Sequence, residues 1–84
     1  MSRTMYYISA REKGKDGKLH IKYFNREADE IDPAEVMECD CWDERERAER
    51  CISIVNARRE RKIKAFGKCD DMAIYSPVEV HFAY

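Results

Sequence analysis

The residues with the widest chemical range in this chain are four cysteines. Cys39 and Cys41 stand one residue apart in MECDCWDERERAER, while Cys51 and Cys69 stand alone. Four thiolates would close a structural zinc site, and a zinc-stapled module with Cys39, Cys41, Cys51 and Cys69 as ligands is one reading of the chain. The spacing fits it poorly, because structural zinc sites draw on paired knuckles with at least two residues between cysteines. Cys51 also falls on the apolar stripe of an expected helix, where cysteine serves as a small hydrophobe. The expectation is therefore no metal and no other cofactor.

A catalytic cysteine would need a base and a group to orient that base. The two histidines, His20 and His81, fall in strand-like segments on the expected solvent side, and no local pattern ties either to a cysteine. Carboxylates are abundant but run through a solvated stretch, whereas an acid/base pair needs burial to split its pKa values. The three glycines form no phosphate-binding loop. At 84 residues the chain is expected to form a single domain over 1–84, too small for a catalytic lobe plus a substrate lobe. The residues give no reason to expect an enzyme.

Binding chemistry is better represented. Arg11, Lys13, Lys15, Lys18 and Lys22 accompany Tyr7 and Phe24, and bases beside aromatics grip single-stranded DNA or RNA by neutralising phosphates and stacking on bases. The simpler account is an exposed sheet face in which aromatics follow β propensity. The second candidate is acidic: Glu27, Asp29, Glu30, Asp32, Glu35, Glu38 and Asp40. Such a surface suits a basic groove on a protein, since field complementarity sets partner choice and on-rate.

The net charge of −1 conceals this polarity. Residues 1–26 carry +5, residues 27–49 carry −9, residues 50–68 carry +6 and residues 69–84 carry −3. Helix physics accounts for part of the pattern, with acids expected in the first turn of a long helix and bases such as Arg58, Arg59, Arg61, Lys62 and Lys64 near its end. It does not account for READEID, which belongs to no helix face.

The elements that must position these groups are legible from periodicity. TMYYISARE (4–12) and KLHIKYF (18–24) read as strands flanking a turn at Asp16-Gly17. A two-residue turn there, or a four-residue loop from Gly14 to Gly17, places Ile8 and Ala10 on one face with Leu19, Ile21 and Tyr23. That face is expected to be the core, with Met5, Tyr7, Arg11, His20, Lys22 and Phe24 opposite. Asp32-Pro33-Ala34-Glu35 carries the signals of a short helix start, and Asp43-Glu44-Arg45-Glu46 those of a long helix to about Lys62.

The stripe of that long helix is Ala48, Cys51, Ile52 and Val55, extended by the stems of Arg59 and Lys62. Asp43/Arg47 and Glu46/Arg50 are spaced for ion pairs. Ile54 lies off the stripe, at the core's edge or against another chain. CDCW is the joint between the two helix starts, with Trp42 as its anchor. RKIKAFGK is either a last helical turn or a short strand. In the C-terminal segment Ile74, Val78, Val80, Phe82 and Tyr84 share one strand phase, and Pro77 assigns the strand to an edge or a bulge.

The expected fold is α+β: an antiparallel sheet of hairpin plus C-terminal strand, in the order β-β-α-β, packed as a two-layer sandwich on one long helix. No apolar run reaches membrane-span length and the N-terminus lacks a cleavage pattern, so a cytoplasmic protein with free thiols is expected. The expected function is a non-catalytic interaction protein whose acidic surface binds a protein partner with a basic surface, such as a nucleic-acid-binding protein. Inhibitors of nucleic-acid-handling host systems carried by phages and mobile elements, anti-CRISPR proteins among them, resemble it in size and charge style alone. Direct nucleic-acid binding through the basic hairpin is the second expectation.

Overall fold

The computed structural model describes residues 1–69 and 72–84. Asp70 and Asp71, two of the three acids in the last charge block, lie outside the described residues. The chain runs β1 (Ser2–Lys13), β2 (Leu19–Phe24), β3 (Glu30–Ile31), two 3-10 turns (Pro33–Glu35 and Glu38–Asp40), α1 (Arg45–Phe66) and β4 (Ile74–Ala83). The four strands form one antiparallel sheet in the order β3-β2-β1-β4. The α+β sandwich expected from periodicity is the fold, with READEID supplying the additional short strand β3.

The β1–β2 turn decides which side chains meet. Gly14 N–H donates to Lys18 O (2.8 Å) and Gly17 N–H to Gly14 O (3.0 Å), and Gly17 has φ 79°. The loop is thus Lys15-Asp16-Gly17, a tight turn followed by a left-handed glycine. Asp16 fixes it by accepting from Lys18 N–H (2.9 Å), which with the His20 contact lowers its carboxyl pKa. A three-residue loop shifts the pairing by one relative to a two- or four-residue loop, so Ile8 faces Phe24 and Ala10 faces Lys22. This corrects the expected core face. Ile8 and Ala10 share a face with His20, Lys22 and Phe24, while Met5, Tyr7 and Arg11 share the other with Leu19, Ile21 and Tyr23.

Both faces are used. Helix α1 covers the Ile8 face with its stripe: Ala48 is fully buried, Cys51, Ile52 and Val55 are half-buried, and Ile8, Phe24 and Tyr75 lie across from them around an apolar pocket of about 160 Å³. On the opposite face Met5, Tyr7 and Cys41 form the buried cluster, packed by Tyr23, Ile31, Val36, Val78, Val80 and Phe82. Tyr7 and Tyr23 meet edge to face at 5.8 Å. The side chain that anchors the CDCW joint is Cys41, 1% exposed, and not Trp42, which contributes its backbone: Trp42 N–H and C=O pair with those of Tyr6 at 2.8 and 2.9 Å.

The helix starts two residues later and ends four residues further on than its charge pattern suggests. Glu44 is its N-cap, the ambiguous RKIKAF is helical, and Gly67 closes it at φ 76° with its N–H on Ile63 O (2.7 Å). Glycine is favoured there because the position is left-handed. Arg59 ties α1 to the sheet, donating to Ala73 O (2.6 Å) and lying 5.4 Å from the centre of the Tyr75 ring. Beyond it residues 60–68 are all exposed, Phe66 by 78%, so the last two turns overhang the sheet. The Asp32-Pro33 start makes only one 3-10 turn, capped by Asp32 on Ala34 N–H (2.9 Å), because Val36 returns to extended backbone.

The result is a long, flat body. Its axes measure 49 × 28 × 15 Å and its radius of gyration is 14.3 Å, against about 12 Å for a compact domain of this length. No helix among the described residues is long and apolar enough to cross a membrane.

Candidate protein-binding surface

The acidic residues sit where β2 leaves the sheet, returns as β3 and passes into the 3-10 turns. Asn25 organises this bend. Its buried Oδ1 accepts from both Glu27 and Asp29 N–H (2.9 Å each), and its own N–H donates to Asp29 O (2.9 Å). Ala28 is thereby held at φ 67°, a left-handed conformation that alanine adopts only under constraint. With the backbone bonds turned inward to Asn25, Glu27, Asp29, Glu30, Asp32 and Glu35 are all exposed.

Two acids of the run have structural work. Asp32 caps the first 3-10 turn, and Asp40 accepts from Met37 N–H (2.9 Å) to close the second. Glu38 and Asp40 are half-buried. Glu38 borders a polar cleft of about 290 Å³ with Arg3, Arg26, Arg47 and Asp43, and its Oε1 is buried without a hydrogen-bond partner. A carboxylate oxygen in that state costs about 1–3 kcal/mol until something donates to it.

The acids around the start of α1 behave differently. Arg47 lies 3.4 Å from Asp43 and 3.8 Å from Glu44, and Arg45 bonds Glu49 at 3.0 Å. The Glu46/Arg50 spacing has no corresponding pair among the described residues. Nor, among the described residues, does any ion pair involve Glu27, Asp29, Glu30, Asp32 or Glu35. Three of the block's eleven acids, Asp43, Glu44 and Glu49, pair with arginines of the helix, while the five from Glu27 to Glu35 face solvent.

The basic hairpin does not converge. Tyr7 is 6% exposed and locked against Tyr23, so it offers no ring to a base. Phe24 is half-buried on the opposite face, toward α1. By the β1–β2 pairing Arg11 and Lys13 project from one face and Lys22 from the other, while Lys15 and Lys18 belong to the turn. The cysteines are also dispersed: Cys39 is exposed, Cys41 buried, Cys51 on α1 and Cys69 beyond it. The Cys41 thiol donates to Met37 O (3.5 Å), and burial, reinforced by Asp40, pushes its pKa up to about 11, which opposes metal ligation. No group of three metal-binding side chains occurs among the described residues.

Each histidine has a local partner that strand phase alone did not reveal. His20 Nε2 meets Asp16 Oδ1 at 3.2 Å, and His81 Nδ1 meets Thr4 Oγ1 at 2.9 Å with Glu79 Oε2 3.7 Å from Nε2. Thr4, His81 and Glu79 have the residue types of a nucleophile, base and orienting acid. Thr4 is half-buried, and Glu79 and His81 are exposed on the sheet. The i, i+2 strand spacing of Glu79 and His81 was the available signal for that contact. Comparison with known protein families, curated proteins and solved structures finds no match.

Proposed function

We propose that this protein is a non-catalytic binding module that presents the acidic edge at Glu27, Asp29, Glu30, Asp32 and Glu35, with Glu38 and Asp40 behind it, to a basic groove on a protein partner in the cytoplasm. The observation that carries the reading is the contrast in pairing: among the described residues five exposed carboxylates along one edge have no ion pair, whereas acids at the start of α1 pair with Arg45 and Arg47. Unpaired surface charge is the form in which electrostatic steering is strongest. The unpartnered Glu38 Oε1 adds a buried acceptor for an entering basic side chain.

A groove complementary to such an edge is one that otherwise holds nucleic acid. The module would then act as a competitor, in the manner of phage or mobile-element inhibitors of nucleic-acid-handling systems. The test is displacement. Purified nucleic-acid-binding proteins loaded with fluorescent single-stranded DNA are titrated with this protein at low and moderate salt. Wild type displaces DNA from at least one of them, less well as salt rises, and the triple reversal E27K/D29K/E30K does not. Equal displacement by the triple variant, or direct salt-sensitive binding of the DNA by this protein, defeats the proposal.

A further inference from the structure

Strand β4 lies at the edge of the sheet, and among the described strands it pairs only with β1, leaving its outer side open from Pro77 to Ala83. Its backbone orientation follows from the bonds at its ends. Tyr84 N–H donates to Met1 O (2.8 Å), while Tyr6 N–H turns the other way, to Trp42 O (2.9 Å). Because antiparallel pairing alternates, and the β1–β4 register is unbroken from Ser2↔Ala83 to Arg11↔Ile74, Val78, Val80 and Phe82 bond inward to β1. Tyr75, Pro77, Glu79, His81 and Ala83 direct their backbone groups outward. Pro77, which has no N–H, occupies one of these outward positions and so costs the sheet nothing.

We propose that two copies of this chain pair their β4 strands antiparallel about a two-fold axis at Val80, joining two four-stranded sheets into one of eight. Of the possible centres, this one is self-complementary. Val80 faces its own copy, Val78 faces Phe82, and Glu79 faces His81 on both sides of the axis. Each Glu79–His81 pair exchanges two backbone bonds, and Ala83 N–H donates to the Pro77 carbonyl at each end.

Neighbouring centres fail on the same residues. Centring on Glu79 opposes two carboxylates in a directly bonded pair; centring on Val78 sets Pro77 against Glu79 and loses a bond beside the axis; centring on His81 leaves Glu79 opposite Ala83 and shortens the overlap. The side chains are ready for the exchange. His81 is exposed, its Nδ1 is fixed by Thr4 Oγ1 (2.9 Å), and its Nε2 lies 3.7 Å from Glu79 of its own chain, beyond hydrogen-bond reach. In the tautomer whose Nδ1 accepts from the Thr4 hydroxyl, Nε2 carries the proton and can donate to the partner's carboxylate. Pro77 and the charge pair also explain why such an edge would stop at two copies in one register and not add strands indiscriminately.

The experiment is sedimentation of the full chain across a wide concentration range, with amide exchange measured on the same samples. The expected species at high concentration is twice the 10.0 kDa monomer, and the amides of Glu79, His81 and Ala83 slow as it forms. H81E opposes two pairs of carboxylates and weakens association roughly tenfold. The swap E79H/H81E restores it, a rescue that only the Val80-centred register predicts. At concentrations where wild type is monomeric, circular dichroism and Tm of both variants match wild type, since both side chains are exposed. A monomer at every concentration, or a dimer indifferent to H81E, overturns the proposal; an edge that instead pairs with an added extended peptide while the chain stays monomeric overturns it too.

Discussion

The two edges of this sheet are built on opposite plans. At one end β3 is two residues long, bounded by Asp29 and by the Asp32-Pro33 turn, and lined with exposed carboxylates. At the other, β4 runs ten residues with alternating apolar side chains, and among the described residues no strand pairs with its outer side from Pro77 to Ala83. Shortness and charge close the first edge to strand addition, while leaving it attractive to a basic surface. Length and alternation leave the second open to another strand. The difference teaches that a small sheet can keep two binding chemistries apart by placing them on edges separated by the full width of the fold.

The largest effect should come from breaking what both edges share. Tyr7 on β1 is buried against Met5, Cys41 and Tyr23, and Tyr7→Ala should cost about 3–5 kcal/mol in urea unfolding. DNA displacement and self-association should then fail together. Next comes the reversal E27K/D29K/E30K, which should abolish displacement while shifting stability by no more than about 0.5 kcal/mol per exposed site. Dimerisation should survive it. A fall in both activities would show that the edges are coupled.

The converse variant, H81E, should lose roughly a factor of ten in self-association and keep displacement unchanged. Gly67→Ala tests a site belonging to neither edge. Nothing lies within 4 Å of the added methyl, so only the left-handed backbone is penalised, by about 1 kcal/mol. Its thermal midpoint should fall with both binding activities intact.

The smallest effect is a pH dependence common to the two edges. Burial raises the pKa of Tyr7, and raises that of Cys41 from its ordinary value of 9.0 to about 11. Both groups are acids favoured in their neutral form by folding, so their contribution is complete below the unfolded-state values and declines as pH rises through the folded ones. Urea midpoints under reducing conditions should therefore be flat near neutrality and fall above about pH 9, the ordinary cysteine range. In Cys41→Ala the fall should be shallower. Alkylation should label exposed Cys39 well before Cys41.

Much of the architecture was legible because it depends on short-range pattern. The helix stripe Ala48, Cys51, Ile52, Val55 and the strand phase Ile74, Val78, Val80, Phe82 follow from residue spacing alone, and Pro77 marked the edge strand through its missing donor. The core face of the hairpin was not legible. Asp16-Gly17 is compatible with two-, three- and four-residue loops, and the parity of the loop decides whether Ile8 shares a sheet face with Tyr23 or with Phe24. Only the packing of both faces, by α1 and by Cys41 with Val36, selects the three-residue solution. Tyr7 passed for a surface aromatic because the segment that buries it is irregular and far along the chain.

The candidate surface divides the same way. The excess of acid over base between Glu27 and Glu49 is written in the sequence. Which carboxylates are spent was decided by the fold, through Arg45 and Arg47 on α1, the caps at Asp32 and Asp40, and the Asn25 bend that turns Glu27 and Asp29 outward. The sequence by itself determined the element types, the stripe that docks the helix and the segregation of charge, since these rest on spacings of a few residues. Strand register, the covering of both sheet faces and the identity of the open edge rest on contacts between residues dozens of positions apart. Those are settled only when loop parity, burial and backbone pairing are satisfied together.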